Sequence, residues 1–187
     1  MRFLQSFLFI AVIAILGFSS LNVQAQSFSD NEKTSRSEIE RKVFKKILTM
    51  PYYGVFDNIS FKVDGNTVTL FGKVRNAQNK SDAERSVEDI KGVRNVINNI
   101  EILPLSGFDD AIRYRIIQTF SRDGGSLYRY LLGVNPSVRI IVDGGRVSLE
   151  GYVATRGDYN LANILANGVS GVFNVDNNLI VEKERVR

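Results

Sequence analysis

The fold is indicated most clearly by the segment Val63-Asp64-Gly65-Asn66-Thr67-Val68-Thr69-Leu70-Phe71-Gly72-Lys73-Val74, and a similar segment follows at Val142-Asp143-Gly144-Gly145-Arg146-Val147-Ser148-Leu149-Glu150-Gly151-Tyr152-Val153. In both copies apolar residues alternate with polar ones around an Asp-Gly pair. Alternation predicts strands, and Asp-Gly suits the tight turn between them because both residues tolerate positive φ angles. Each copy is therefore predicted to be a β-hairpin.

The hairpins belong to a longer duplication. Residues 61–102 align without gaps with residues 140–181 at an offset of 79, and 14 of the 42 pairs are identical. The parts before the hairpins align at an offset of 73, so the second unit carries six extra residues between its first helix and first strand. Two long units do not make a solenoid. The chain is predicted to be a tandem duplication.

Each unit has the same order of predicted elements. Ile39, Val43, Phe44 and Ile47 form the apolar stripe of a first helix. A second helix carries Ala83 before the third strand, and a helical crossover makes strands two and three parallel. The predicted class is α+β, with two tandem αββαβ domains, each a small mixed three-stranded sheet covered on one face by two helices.

The segments follow from these patterns. They are a signal peptide (1–25), a disordered lead-in (26–35), domain 1 (36–103), a linker (104–108), domain 2 (109–182) and a tail (183–187). Arg2, an apolar run over 7–18 and Val23-Gln24-Ala25 are typical of an export signal cleaved after Ala25. The alternative is an uncleaved anchor, although the run is short for a membrane span. Export predicts a periplasmic protein without a transmembrane segment after cleavage.

The amino-acid composition excludes several classes of catalytic and metal-binding site. The 187 residues include no Cys, His or Trp, which excludes Cys–His and Ser–His–Asp catalysis, zinc fingers, disulfides and a lipidated cysteine. The net charge of +4 is too small to indicate a nucleic-acid partner. Carboxylates are scattered, and no phosphate-binding glycine loop precedes a helix. We expect no catalytic residues, no metal site and no cofactor.

Two glycines lie inside predicted strands, Gly72 and Gly151, where glycine usually weakens pairing. Either a helix backbone approaches closely at these positions or the strand bulges, and a ligand contact is a third possibility. We expect a structural role.

One stretch combines basic and aromatic residues. The candidate membrane or partner surface consists of Arg113, Tyr114, Arg115, Arg122, Tyr128, Arg129, Tyr130 and Leu131. Arginines attract anionic head groups, and tyrosine rings favour the membrane interface. The alternative is that Tyr128, Tyr130 and Leu131 pack the insertion onto the protein core.

The ordered motifs resemble those of the BON domain in both units. They are Val63-Asp64-Gly65-x-x-Val68-x-Leu70-x-Gly72-x-Val74, a helix with Ala83, Gly92-Val93-x-Asn95-Val96 and Asn98-Asn99-Ile100-x-Ile102. Gly72 and Gly151 match the strand glycine of the family. The resemblance implies an αββαβ fold and a non-catalytic module that associates with phospholipid or envelope protein. The lack of cysteine makes the chain more similar to osmotically inducible periplasmic members than to lipoproteins.

Two functions are open at this point. The first is an envelope module that binds anionic phospholipid or an envelope protein, with a role in envelope maintenance or stress response. The second is a periplasmic chaperone-like or adaptor protein that binds polypeptides. An enzyme is the third and weakest hypothesis.

Overall fold

The computed structural model describes residues 36–123 and 125–182. The predicted signal peptide, the lead-in and the tail lie outside the described residues.

Each unit contains two α-helices and three strands in the predicted order, and the second unit adds a 3₁₀ helix. The first unit consists of α1 (36–48), β1 (Asn58–Asp64), β2 (Thr67–Val74), α2 (Ala77–Glu88) and β3 (Asn95–Ile102). The second consists of α3 (Gly107–Arg122), a 3₁₀ helix (Gly125–Leu131), β4 (Val138–Asp143), β5 (Arg146–Val153), α4 (Arg156–Asn167) and β6 (Asn174–Val181). Helix α3 begins inside the stretch assigned to the linker, because the Ser106 hydroxyl caps it by accepting from the Asp109 N–H at 3.2 Å.

The two sheets have the same topology. Their strand orders are β1-β2-β3 and β4-β5-β6, with an antiparallel first pair and a parallel second pair. The predicted mixed sheets are therefore confirmed. Within β2, Val68, Leu70 and Val74 are fully buried on the face that the helices cover, while Thr69 and Phe71 alternate with them on the outer face.

The stripe on α1 is narrower than the sequence predicts. Ile39, Val43 and Ile47 are buried, whereas Phe44 is 55% exposed. The side chains of neighbouring residues in a helix point about 100° apart, so Phe44 lies outside the buried face of α1 that contains Val43. Phe44 faces a groove between the two units instead.

Gly72 and Gly151 sit against the backbone of the neighbouring strand. Their φ angles are +120° and +109°. A Cβ on Gly72 would overlap the carbonyl oxygen of Asn58 at the start of β1, and one on Gly151 would overlap that of Ser137 just before β4. Of the alternatives, a close helix backbone does not apply, because it is the backbone of the antiparallel partner strand that approaches.

The loop between α1 and β1 joins the units together. The N–H of Ile140 on β4 donates to the carbonyl of Val55 at 2.7 Å, and Val55 packs against the core of the second unit. Two ion pairs also cross between units, Lys73 with Asp143 at 2.5 Å and Arg75 with Asp110 at 2.9 Å. The first unit thus pairs with the edge strand β4 at Ile140, which protects part of this sheet edge.

Candidate functional site

The structure divides the candidate surface between two elements. Arg113, Tyr114, Arg115 and Arg122 lie on α3, while Tyr128, Arg129, Tyr130 and Leu131 lie on the 3₁₀ helix that follows. The six extra residues of the second unit therefore form ordered structure, and some of these side chains point into the protein.

Arg113 does not belong to the surface. It is 3% exposed, and its guanidinium donates to the Asp110 carboxylate at 2.7 Å and to the Val142 carbonyl at 2.5 Å. The hydrogen bond from Arg113 Nη1 lowers the pKa of the Asp110 carboxyl, burial opposes this effect, and the charge of Arg75 lowers the pKa further. Arg113 is a positioning residue between α3 and the edge strand β4.

Tyr130 is also internal, at 9% exposed. Its hydroxyl donates to Asp158 at 2.8 Å and accepts from the Ala154 N–H at 2.9 Å. The ring lies 4.7 Å below the Arg129 guanidinium, which pairs with Asp158 at 3.2 Å. These contacts favour the packing alternative for this part of the insertion.

Asp158 is the polar centre that holds the insertion. Besides Tyr130 and Arg129, its carboxylate accepts from Ser126 at 2.5 Å and from Thr155 at 2.7 Å. Burial by itself raises the pKa of Asp158, but the hydrogen bonds from Ser126, Thr155 and Tyr130 outweigh it, so the pKa is lowered. In the alignment of the two repeats, Asp158 is equivalent to Asn79. The Asn79 side chain holds the shorter loop of the first unit by donating to the Tyr52 carbonyl at 2.9 Å.

The other insertion residues are divided between core and surface. Leu131 packs against the core of the second unit, whereas Tyr128 is 42% exposed. Arg122 is solvent-exposed and lies 3.7 Å from Asp123. Three of the four arginines in the candidate set therefore have a carboxylate partner.

A second group of side chains lies around the loop between α4 and β6. Tyr114 is 64% exposed, and the neighbouring Arg115 donates to the Ser170 carbonyl at 3.0 Å. Three residues further along, Phe173 is 75% exposed and stacks on Phe108 of α3, with 6.0 Å between ring centroids. We call the exposed residues Phe108, Tyr114, Arg115, Arg122 and Phe173 the α3 surface.

Sequence reasoning missed Phe108 and Phe173. Both lie outside the basic stretch, and the stacking between them depends on the docking of α3 beside the last loop. Comparison of the two repeats could have identified Phe173, because it aligns with Arg94 of the first unit. An exposed phenylalanine in place of an arginine is a change that core packing does not require.

The described part of the chain contains no group of three or more acidic residues placed to hold a metal ion. None of its helices combines the length and the apolar character that a bilayer crossing requires. The α3 surface presents two phenylalanine rings, a tyrosine and two arginines on one side of the second unit.

Solved structures and curated proteins were both compared with this chain. The chain is similar to two solved structures from Chlamydia trachomatis: the C-terminal domain of CdsD, the structural protein of the Type III secretion system, at 12% identity, and a second structure of CdsD at 13%. The first match covers 75% of this chain and 96% of that one, and the second covers 80% and 95%, each with a TM-score of 0.30. No curated protein matches.

A protein-family model matches most of the chain. The model of the BON domain matches twice, over residues 35–104 and 109–183, and these two ranges contain every described strand and helix except the first two residues of α3. The chain belongs to the BON domain family and carries two tandem copies of the domain.

Proposed function

We propose that the protein is an exported, non-catalytic envelope module whose second BON domain contacts the surface of anionic phospholipid membranes through the α3 surface. BON domains are generally non-catalytic and envelope-associated, which supports the class. The observation that carries the proposal is the exposed Phe108–Phe173 stack next to Arg115, because the first unit has Arg94 in place of Phe173 and so lacks this aromatic pair.

The energetics indicate which part of the surface matters most. A basic residue near an anionic membrane contributes about 1 kcal/mol, so Arg115 and Arg122 supply about 2 kcal/mol. A dissociation constant of 1 mM already needs about 4.1 kcal/mol. Burying a phenylalanine contributes about 1.5–3 kcal/mol. Membrane attachment should therefore depend more on Phe108 and Phe173 than on the arginines.

The first test is co-sedimentation with anionic vesicles. The double variant Phe108→Ser/Phe173→Ser should weaken binding at least about tenfold, because it removes the insertion of both rings. Arg115→Glu/Arg122→Glu should weaken binding and abolish its salt dependence, since screening acts on the attraction that charge reversal removes.

A matched control is available on α1 of the first unit. Lys45→Glu/Lys46→Glu changes the net charge by the same amount at two exposed positions. This control should leave vesicle binding close to that of the unmodified protein. A control that weakens binding as much as the α3 variants would show that net charge, and not this surface, determines attachment.

The second candidate function is polypeptide binding. Strands β3 and β6 are edge strands, and both carry exposed apolar side chains: Ile97 and Ile102 on β3 and Ile180 on β6. An extended peptide can add to such an edge through main-chain hydrogen bonds. Saturable retention of unfolded proteins, together with absence of vesicle binding, would favour this function over membrane contact.

A further inference from the structure

A groove of about 530 Å³ lies between the two units. Its walls come from α1 and β1 of the first unit and from the outer face of the sheet in the second. The apolar side chains that line it include Phe44, Leu48, Phe61, Pro136, Tyr152 and Ile180. Its volume and mostly apolar lining are within the usual range for small-molecule sites.

A buried cation lies at this groove. Arg139 of β4 is 6% exposed, its Nη1 donates to the Gly54 carbonyl at 2.6 Å, and its guanidinium stacks 4.1 Å from the Tyr53 ring centre. Across the described ranges, no carboxylate oxygen lies within 4.0 Å of it. Buried arginines are rare without such a partner. The N–H donors of the guanidinium that do not contact Gly54 are suited to bind an anionic group of a ligand.

The residue opposite Arg139 on β5 is Glu150, which also lines the groove. Directly opposed residues have Cβ atoms about 4.5–5.5 Å apart, yet these two side chains form no ion pair in the described structure. Glu150 instead accepts hydrogen bonds from Ser148 and from Asn178, the latter at 2.8 Å. The groove thus presents a cation and an anion on opposed residues that form no direct ion pair with each other.

The first unit has different residues at the equivalent positions. Lys73 and Glu101 form an ion pair of 3.5 Å where the second unit has the apolar neighbours Tyr152 and Ile180. Arg139 stands where the first unit has Ser60. Since both units share one strand register, the fold does not require this lining.

We propose that the groove binds a single-chain zwitterionic amphiphile of the lysophosphatidylethanolamine type. Its phosphate contacts Arg139, its ammonium group contacts Glu150, and its acyl chain lies across Tyr152, Ile180 and Phe44. A zwitterionic head group matches the charges of both Arg139 and Glu150, whereas a simple anion matches only that of Arg139. One acyl chain is the occupant because the site is a groove of small-ligand size and not a flat membrane-facing surface. The site is separate from the α3 surface and goes beyond the proposed membrane contact.

The test is isothermal titration of the full-length protein with 12-carbon lysophosphatidylethanolamine below its micelle concentration. Saturable binding with one ligand per chain is expected. An 8-carbon chain should bind at least about tenfold more weakly, since each buried methylene changes affinity about fourfold. Lysophosphatidic acid of equal chain length, which lacks the ammonium group, should also bind more weakly.

Two variants avoid Arg139, whose contacts with Gly54 and Tyr53 also hold the loop. Glu150→Gln should weaken binding of the zwitterionic ligand and leave binding of lysophosphatidic acid unchanged or stronger. Ile180→Glu should weaken binding of the zwitterionic ligand at least about tenfold. The matched control is Ile97→Glu, because Ile97 lies on the outer face of the third strand in the first unit and is 43% exposed, against 46% for Ile180. That control should leave ligand binding unchanged.

Three results would overturn the proposal: no saturable binding, equal loss in both isoleucine variants, or light scattering that shows a dimer dispersed by Ile180→Glu. The last result would assign the groove to a second copy of the chain. Ile180→Glu should not alter attachment to anionic diacyl vesicles, so failure of this proposal is distinguishable from failure of the proposed membrane contact.

Discussion

Replacing Gly72 by alanine is expected to lower the free energy of unfolding by about 3–5 kcal/mol. The added Cβ overlaps the Asn58 carbonyl, and the backbone at φ +120° is unfavourable for any residue with a side chain. Strands β1 and β2 have to separate locally to accept it. Urea denaturation followed by far-ultraviolet circular dichroism measures the loss.

Gly65→Ala is the control for that measurement. Gly65 has a positive φ of +55°, but no atom lies within 4 Å of where its Cβ would be. We expect a loss of about 1 kcal/mol, from backbone strain alone. Equal losses in the two variants would show that the close approach of β1 does not explain the glycine in β2.

The second large effect is expected at Asp158. Asp158→Ala leaves Tyr130, Ser126 and Thr155 without their acceptor and should lower the free energy of unfolding by about 3–5 kcal/mol. Asp158→Asn keeps the shape and copies the Asn79 of the first unit, and it should cost less because the amide oxygen still accepts one hydrogen bond. Amide exchange in residues 125–131 should increase in both variants.

The pH dependence provides a separate check on this carboxylate. Since the pKa of Asp158 is lowered in the folded protein, its contribution to stability is fully present above the unfolded-state pKa of about 4 and is lost as the pH falls through the folded-state value. Stability of Asp158→Asn should therefore decrease less on acidification below about pH 4 than that of the unmodified protein. Parallel decreases would contradict the role assigned to the ionised carboxylate.

Much of the fold could be predicted from local patterns. The Asp64-Gly65 turn, the alternation around it and its copy at Asp143-Gly144 determine the hairpins, and the helical spacing of Ile39, Val43 and Ile47 determines the first helix. These signals depend on neighbours in sequence. The duplication then extends the prediction from one unit to the other.

The candidate site was harder to predict because its side chains are directed by distant partners. Arg113 turns inward to the Val142 carbonyl, and Tyr130 turns inward to Asp158, in each case 28 or 29 residues away along the chain. Residue type alone does not distinguish an exposed arginine from one with a buried acceptor. Arg139 was missed for the same reason, since its neighbours Gly54 and Tyr53 belong to the other unit.

Differences between the two repeats are the most useful guide to function in this chain. Phe173 replaces Arg94, Arg139 replaces Ser60, and Ile180 replaces Glu101, although the strand register is the same in both units. The shared fold explains the positions where the repeats agree. It does not explain these exposed or groove-lining changes, which is why both proposals concern the second unit.

Whether the second unit faces the membrane can be measured directly by site-specific labelling, because the chain has no native cysteine. A single environment-sensitive fluorophore can be attached at Gln118→Cys on the exposed side of α3, or at Lys45→Cys, the equivalent position on α1. With anionic vesicles, the label at position 118 should become protected from an aqueous quencher while the label at position 45 stays accessible. Equal accessibility of both labels under conditions where the protein is vesicle-bound, or protection at position 45 alone, would contradict the account.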